Sequence, residues 1–120
     1  MKKRTVVIGA SENPERYAYK ATLSLQKHGQ PVFPVGLKGG QIGGAEILLK
    51  GCLPGDIDTV TLYVGPAHQA AWKDYVFELQ PKRIIFNPGT EGGVIQAEAI
   101  ERGIACLPAC TLVMLSTGQY

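Results

Sequence analysis

Thr5-Val6-Val7-Ile8-Gly9-Ala10-Ser11 is an apolar run that stops at a glycine, and Glu12 to Arg16 continues it with a proline at position 14. A short all-apolar run bounded by glycine reads as a buried parallel strand. Gly9 lets the backbone turn where a side chain would clash, and Ser11 brings a hydroxyl beside its own N–H. Pro14 suits a first helical turn, where a missing N–H costs little. A helix start carries unpaired N–H groups and partial positive charge, so a strand feeding such a start is a corner built for a phosphate.

Working outward, the first helix is expected to run to His28, with Gly29 as its C-terminal stop. Pro31-Val32-Phe33-Pro34-Val35 is a second strand, short because proline is poorly tolerated inside a sheet. Residues 36–44 hold five glycines and read as a loop, and 45–50 as either a short helix or an extended piece. A third strand over 59–64 is rich in β-branched residues. A second helix over 67–79, a strand Arg83–Phe86, a helix over 91–102 stopped by Gly103, and a strand over 104–107 complete the alternation. Residues 111–115 form a last helical turn or strand. Strands alternating with helices at these spacings predict a parallel sheet covered on both faces. The fold class is therefore α/β, a Rossmann-like three-layer sandwich with a five-stranded, mostly parallel sheet, formed as one domain over residues 1–120.

With 120 residues and 45% hydrophobic content, the chain has enough apolar surface for a core without staples. A net charge of +2 with scattered cations argues against nucleic acid as the partner. No apolar run approaches the length of a membrane span, and Val6 to Ile8 is too short for a signal peptide, so the expected location is cytoplasmic. Cys52, Cys106 and Cys110 have no metal-type spacing and read as reduced, partly buried thiols, or as one reactive thiol at a helix start near Cys110.

Ligands of such sheets bind at the carboxyl ends of the strands. Those ends are Gly9-Ala10-Ser11, Val35-Gly36-Leu37-Lys38, Val64-Gly65-Pro66 and Asn87-Pro88-Gly89, and each bears glycine. The first lacks the G-x-G-x-x-G spacing of a dinucleotide site. The end of the second strand offers Lys38 and no acid for a ribose hydroxyl, which disfavours NAD. A cation there suits a phosphorylated ribose, as in NADP or coenzyme A, and Arg16 can pair with a phosphate through two N–H groups.

Taken in order, Val7 to Ser11, Pro14, Arg16, His28-Gly29, Val32 and Pro34-Val35 resemble the small single-domain CoA-binding proteins. These in turn resemble the CoA-binding domains of the succinyl-CoA synthetase alpha subunit and of acyl-CoA synthetases. The likeness continues through Ile42, Gly44, the 58–64 strand, Pro88-Gly89, Ala99, Gly103-Ile104 and Cys110 to Met114. It implies a domain holding the ADP part of CoA, with Gly9, Ala10 and Ser11 along the diphosphate and Arg16 and Tyr17 nearby. Pro34, Val35 and Lys38 would flank the adenosine and its phosphate, Val64 and Pro66 would close the adenine side, and Asn87, Pro88 and Gly89 would line the pantetheine exit. Two places depart from that pattern: Gly36 and Leu37 stand where the family commonly has Asn and Pro, and Tyr63 to Pro66 replace its arginines.

No catalytic set can be assembled. Ser11 has no evident base, His68 has no acid partner in sequence, and Glu91 beside Gly89 reads as a helix-start acid. The expected function is a non-catalytic carrier, sensor or regulatory module for CoA or acyl-CoA. The alternatives are an NADP-binding enzyme or fragment, and a ligand-free interaction protein using Trp72, Tyr75 and Phe77 as a contact patch. A homodimer or a protein partner is left open.

Overall fold

The structure is a computed structural model and describes residues 2–120. Five parallel strands form the main sheet: β1 (Thr5–Ile8), β2 (Val32–Val35), β5 (Thr59–Leu62), β6 (Arg83–Phe86) and β7 (Ala105–Pro108), in the order β2-β1-β5-β6-β7. Two further strands of two residues each, β3 (Gln41–Ile42) and β4 (Ala45–Glu46), pair as a small antiparallel hairpin. The helices are α1 (Tyr17–Lys27), α2 (Lys73–Glu78), α3 (Val94–Glu101) and α4 (Thr111–Ser116), with a 3-10 segment at Pro66–Ala71 before α2. The chain forms the expected α/β, Rossmann-like sheet.

Alternation along β1 shows how the layers form. Val6 and Ile8 pack with Trp72, Tyr75, Val76 and Ile95 on one face, while Val7 packs with Ala18, Leu25 and Leu115 on the other. Successive strand residues point to opposite faces, so an all-apolar strand has to be covered on both. Pro34 is accommodated because β2 is the edge strand. That edge is then closed by the chain itself: Leu48 N–H donates to Pro34 O and Gly36 N–H donates to Leu48 O. Covering an edge in this way removes a template for unwanted strand pairing.

Several boundaries differ from expectation. Pro14 lies in a turn ahead of α1, where Asn13 Oδ1 accepts Glu15 N–H and Asn13 O accepts Arg16 N–H, so the helix begins only at Tyr17. The loop expected over 36–44 contains strand β3, which pairs with β4, and of the two alternatives for 45–50 the extended one holds. The 59–64 strand ends at Leu62, and the strand expected over 104–107 is shifted to Ala105–Pro108. The 67–79 helix is broken: the segment before Trp72 winds as a 3-10 helix, with His68 N–H bonding Gly65 O and Trp72 N–H bonding Gln69 O. The helix expected from residue 91 begins at Val94. Gly29 and Gly103 follow α1 and α3 in left-handed conformation, φ +74° each, as C-terminal stops require. No helix among the described residues is long and apolar enough to cross a membrane.

Candidate functional site

The strand order reverses between β1 and β5: the chain leaves β1 for β2 on one side and returns to β5 on the other. A crevice at the carboxyl ends of such neighbours is the usual ligand position in open parallel sheets. Here the loops after β1, β2, β5 and β6 come to one edge, as the sequence predicted.

The first corner is tightly built. Gly9 has φ +95°, and a Cβ there would lie 3.2 Å from both Tyr63 O and Val64 Cγ2. The left-handed φ is what calls for glycine, and the close contacts add to the strain of any larger residue. The N–H groups of Gly9 and Ala10 both donate to Val35 O at 3.0 Å, which fixes the β1 loop against the end of β2. Those two amides are therefore spent internally. Among the described residues, Ser11 N–H has no acceptor, and Ser11 Oγ accepts Asn13 N–H, leaving its own proton to donate. Arg16 and Lys38 are exposed on this edge, and neither forms an ion pair among the described residues. Glu12 brings the opposite charge, because its carboxylate reaches across to accept Gln41 N–H at 2.9 Å.

The other expected contacts divide. Tyr17 is 65% exposed at the start of α1, and Pro66, Pro88 and Gly89 are exposed, with open space where a Gly89 Cβ would stand. Val64 is half-buried beside Gly9. Four side chains turn inward, the first being Ala10, which packs with Ile42 and Ile47. Val35 is a wholly buried core residue and Pro34 is buried, so neither can flank a ligand with its side chain. Asn87 is 2% exposed, and its amide bonds Thr61 Oγ1, Leu62 O and Thr111 N–H. Its place at the loop is right, but its polar atoms face the interior.

Tyr63 lies next to this network. Its hydroxyl is buried beside those of Thr61 and Thr111, which bond each other at 2.7 Å, and among the described residues it makes no hydrogen bond of good geometry. Burial pushes its pKa up to about 12, outweighing the favourable nearness of Thr111. Among the described residues, Ser11, His28, His68 and Glu91 make no hydrogen bond to one another. Glu91 Oε1 accepts Gly89 N–H at 3.0 Å, His68 is exposed, and His28 Nδ1 pairs with Ser24 O at the end of α1. Among the described residues no three His, Cys, Asp or Glu side chains could hold a metal. Burial raises the pKa of Cys106, whose Sγ faces Ile104 O, and Cys110 forms the N-terminal boundary of α4.

The proposed contact patch is absent: Trp72, Tyr75 and Phe77 are 3%, 6% and 7% exposed. Trp72 and Tyr75 meet edge to face in the core, and the Arg102 guanidinium covers the Phe77 ring. An open groove of about 590 Å³ lies elsewhere, between Lys2, Gln30, Val32 and the β3–β4 turn at the amino ends of β1 and β2. Its ammonium group, on Lys2, is bonded to Gly29 O, and it has none of the converging loops of the carboxyl edge.

Gln69 was not foreseen. It is fully buried between the loops after β5 and β6 and donates to Val64 O and Thr90 O. A glutamine in an alanine-rich helical stretch gives no sequence signal of burial.

Residues 3–116 match the family described as a CoA binding domain. The crystal structure of an uncharacterized protein is 42% identical, with a TM-score of 0.94, covering 100% of this chain and 99% of that one. A hypothetical protein from Pyrococcus horikoshii OT3 is 26% identical at a TM-score of 0.82, over 92% of this chain and 80% of that one. The dinucleotide forming acetyl-coenzyme A synthetase 1 of Ca. Korarchaeum cryptofilum, solved with phosphate and ADP, is similar in fold at a TM-score of 0.73. It is 18% identical, and the match covers 89% of this chain and 25% of that one. No functionally curated protein matches the sequence.

Proposed function

The chain belongs to the CoA-binding domain family, and from that premise we propose that it binds CoA or an acyl-CoA at the carboxyl edge of its sheet as a non-catalytic carrier, sensor or regulatory module. The observation that carries the reading is the Gly9 corner: a left-handed glycine backed against Tyr63 O at the strand-order reversal, with Ser11 N–H without an acceptor among the described residues. A diphosphate supplies the acceptor that this corner lacks. Arg16 and Lys38 are the cations for the remaining charge, with Lys38 assigned to the 3′-phosphate. Tyr17, Val64, Pro66, Pro88 and Gly89 supply the walls, with Ala10 packed in the core behind them.

Ser11 N–H, Arg16 and Lys38 suit an anionic group, while Glu12 and Glu91 bring opposing charge to the same edge. Bound CoA would supply a thiol or thioester, and this chain would hold and orient it. The NADP alternative shares the phosphorylated ribose.

A specific observation favours a second reading, a protein that acts without a nucleotide. Gly36 and Leu37 stand where the pattern has Asn and Pro, Tyr63 to Pro66 where it has arginines, and Glu12 spans the corner to Gln41. Calorimetric titration with CoA, dephospho-CoA and NADP in parallel separates these cases. CoA binding that weakens without the 3′-phosphate is the expected result. Binding of NADP alone would replace the assignment, and silence from all three would leave the nucleotide-free reading.

A further inference from the structure

Gln69 sits on the 3-10 segment Pro66–Ala71 and is 0% exposed. Its Nε2 donates at 2.9 Å to Val64 O, in the loop after β5, and at 2.7 Å to Thr90 O, in the loop after β6. Its Oε1 is buried and, among the described residues, has no hydrogen-bond partner. Gly93 stands against it so closely that a Cβ there would overlap Oε1. A buried acceptor without a partner opposes stability, and departures of that kind concentrate where function sets the requirement.

We infer that Gln69 is a positioning residue, fixing the spacing of the two loops so that one ligand can engage both. The inference rests on the reading of the carboxyl edge as the CoA site, where Val64 and Pro66 form one wall and Pro88 and Gly89 the exit. Neither wall includes Gln69 itself. Both Nε2 protons are used in the tie, so a side chain without the amide leaves two carbonyls unpaired and the loops free to move apart. The β1 and β2 loops are tied to each other separately, through Val35 O.

The test compares CoA, which spans both walls, with ADP, which does not reach the exit. In Gln69→Met the CoA-to-ADP affinity ratio is expected to fall by roughly tenfold or more, because simultaneous engagement depends on loop geometry. ADP affinity should stay within about twofold. A purely structural role would lower the competent fraction for both ligands alike and leave the ratio unchanged. Thermal melts report the folded fraction, and Gln69→Asn, which keeps the amide and shortens its reach, serves if the Met variant is poorly folded. An unchanged ratio, with wild-type protein binding CoA, overturns the inference and spares the proposed function. Wild-type protein that binds neither ligand overturns both.

Discussion

The side-chain carbonyl of Asn87 accepts the backbone N–H of Thr111 at 2.9 Å, joining the end of β6 to the first turn of α4. The other end of the same amide donates to Thr61 Oγ1 and Leu62 O, so all three bonds are made in the interior. Asn87→Ala should strand Thr111 N–H and Leu62 O and cost about 2–4 kcal/mol. Urea unfolding with an unchanged m value checks this. A loss within experimental error would mean that water takes over the bonds of the amide.

Gly36 has a different constraint: a Cβ there would overlap Ala10 O, because the β1 and β2 loops lie backbone to backbone. The position that the family pattern fills with Asn is here closed by contact. Gly36→Asn should therefore displace the β1 loop, lower stability by about 1–3 kcal/mol and weaken CoA binding. Thermal unfolding and titration measure both, and a gain in affinity at unchanged stability would refute the steric argument.

Sequence reading succeeded where a local rule met no competitor. The Val6 to Ile8 run, Gly9 and the Gly29 stop each obey one short-range constraint, and the sheet follows from their repetition. It failed where tertiary partners decide. Nothing local distinguishes Gln69 from a solvated glutamine, or shows that Asn87 turns away from the loop it occupies. Trp72, Tyr75 and Phe77 read as a contact patch because nothing local shows that the fold packs all three into the core. Val35 and Pro34 were placed at the site by their position along the strand, but strand parity and the cover from Leu48 bury them.

Alkaline pH gives a test of the buried tyrosines. Burial pushes both Tyr63 and Tyr75 up to about 12, from an ordinary value of 10.0. With the folded-state pKa above the unfolded one, the contribution to stability is complete below pH 10 and is lost as pH rises from 10 through 12. For Tyr63 the loss amounts to about 2–3 kcal/mol. Urea midpoints should be unaffected by tyrosine ionisation below pH 9 and fall steeply above 10. In Tyr63→Phe the alkaline fall should be shallower, and an identical fall in both proteins would remove Tyr63 from the account.

Arg16 and Lys38, the cations placed at the carboxyl edge, should separate by ligand. A 3′-phosphate contact from Lys38 predicts that Lys38→Ala weakens CoA by about 3- to 10-fold, the range for an exposed charge-assisted bond, and leaves dephospho-CoA unchanged. Arg16 is assigned to the diphosphate, which both ligands carry, so Arg16→Ala should weaken the two equally. Both variants should also show a smaller loss of CoA affinity as salt is raised, since each removes one screened attraction. Equal weakening of CoA and dephospho-CoA by Lys38→Ala would move that lysine to the diphosphate. The specificity for a phosphorylated ribose would then have to come from Arg16, whose variant would be the one to lose discrimination.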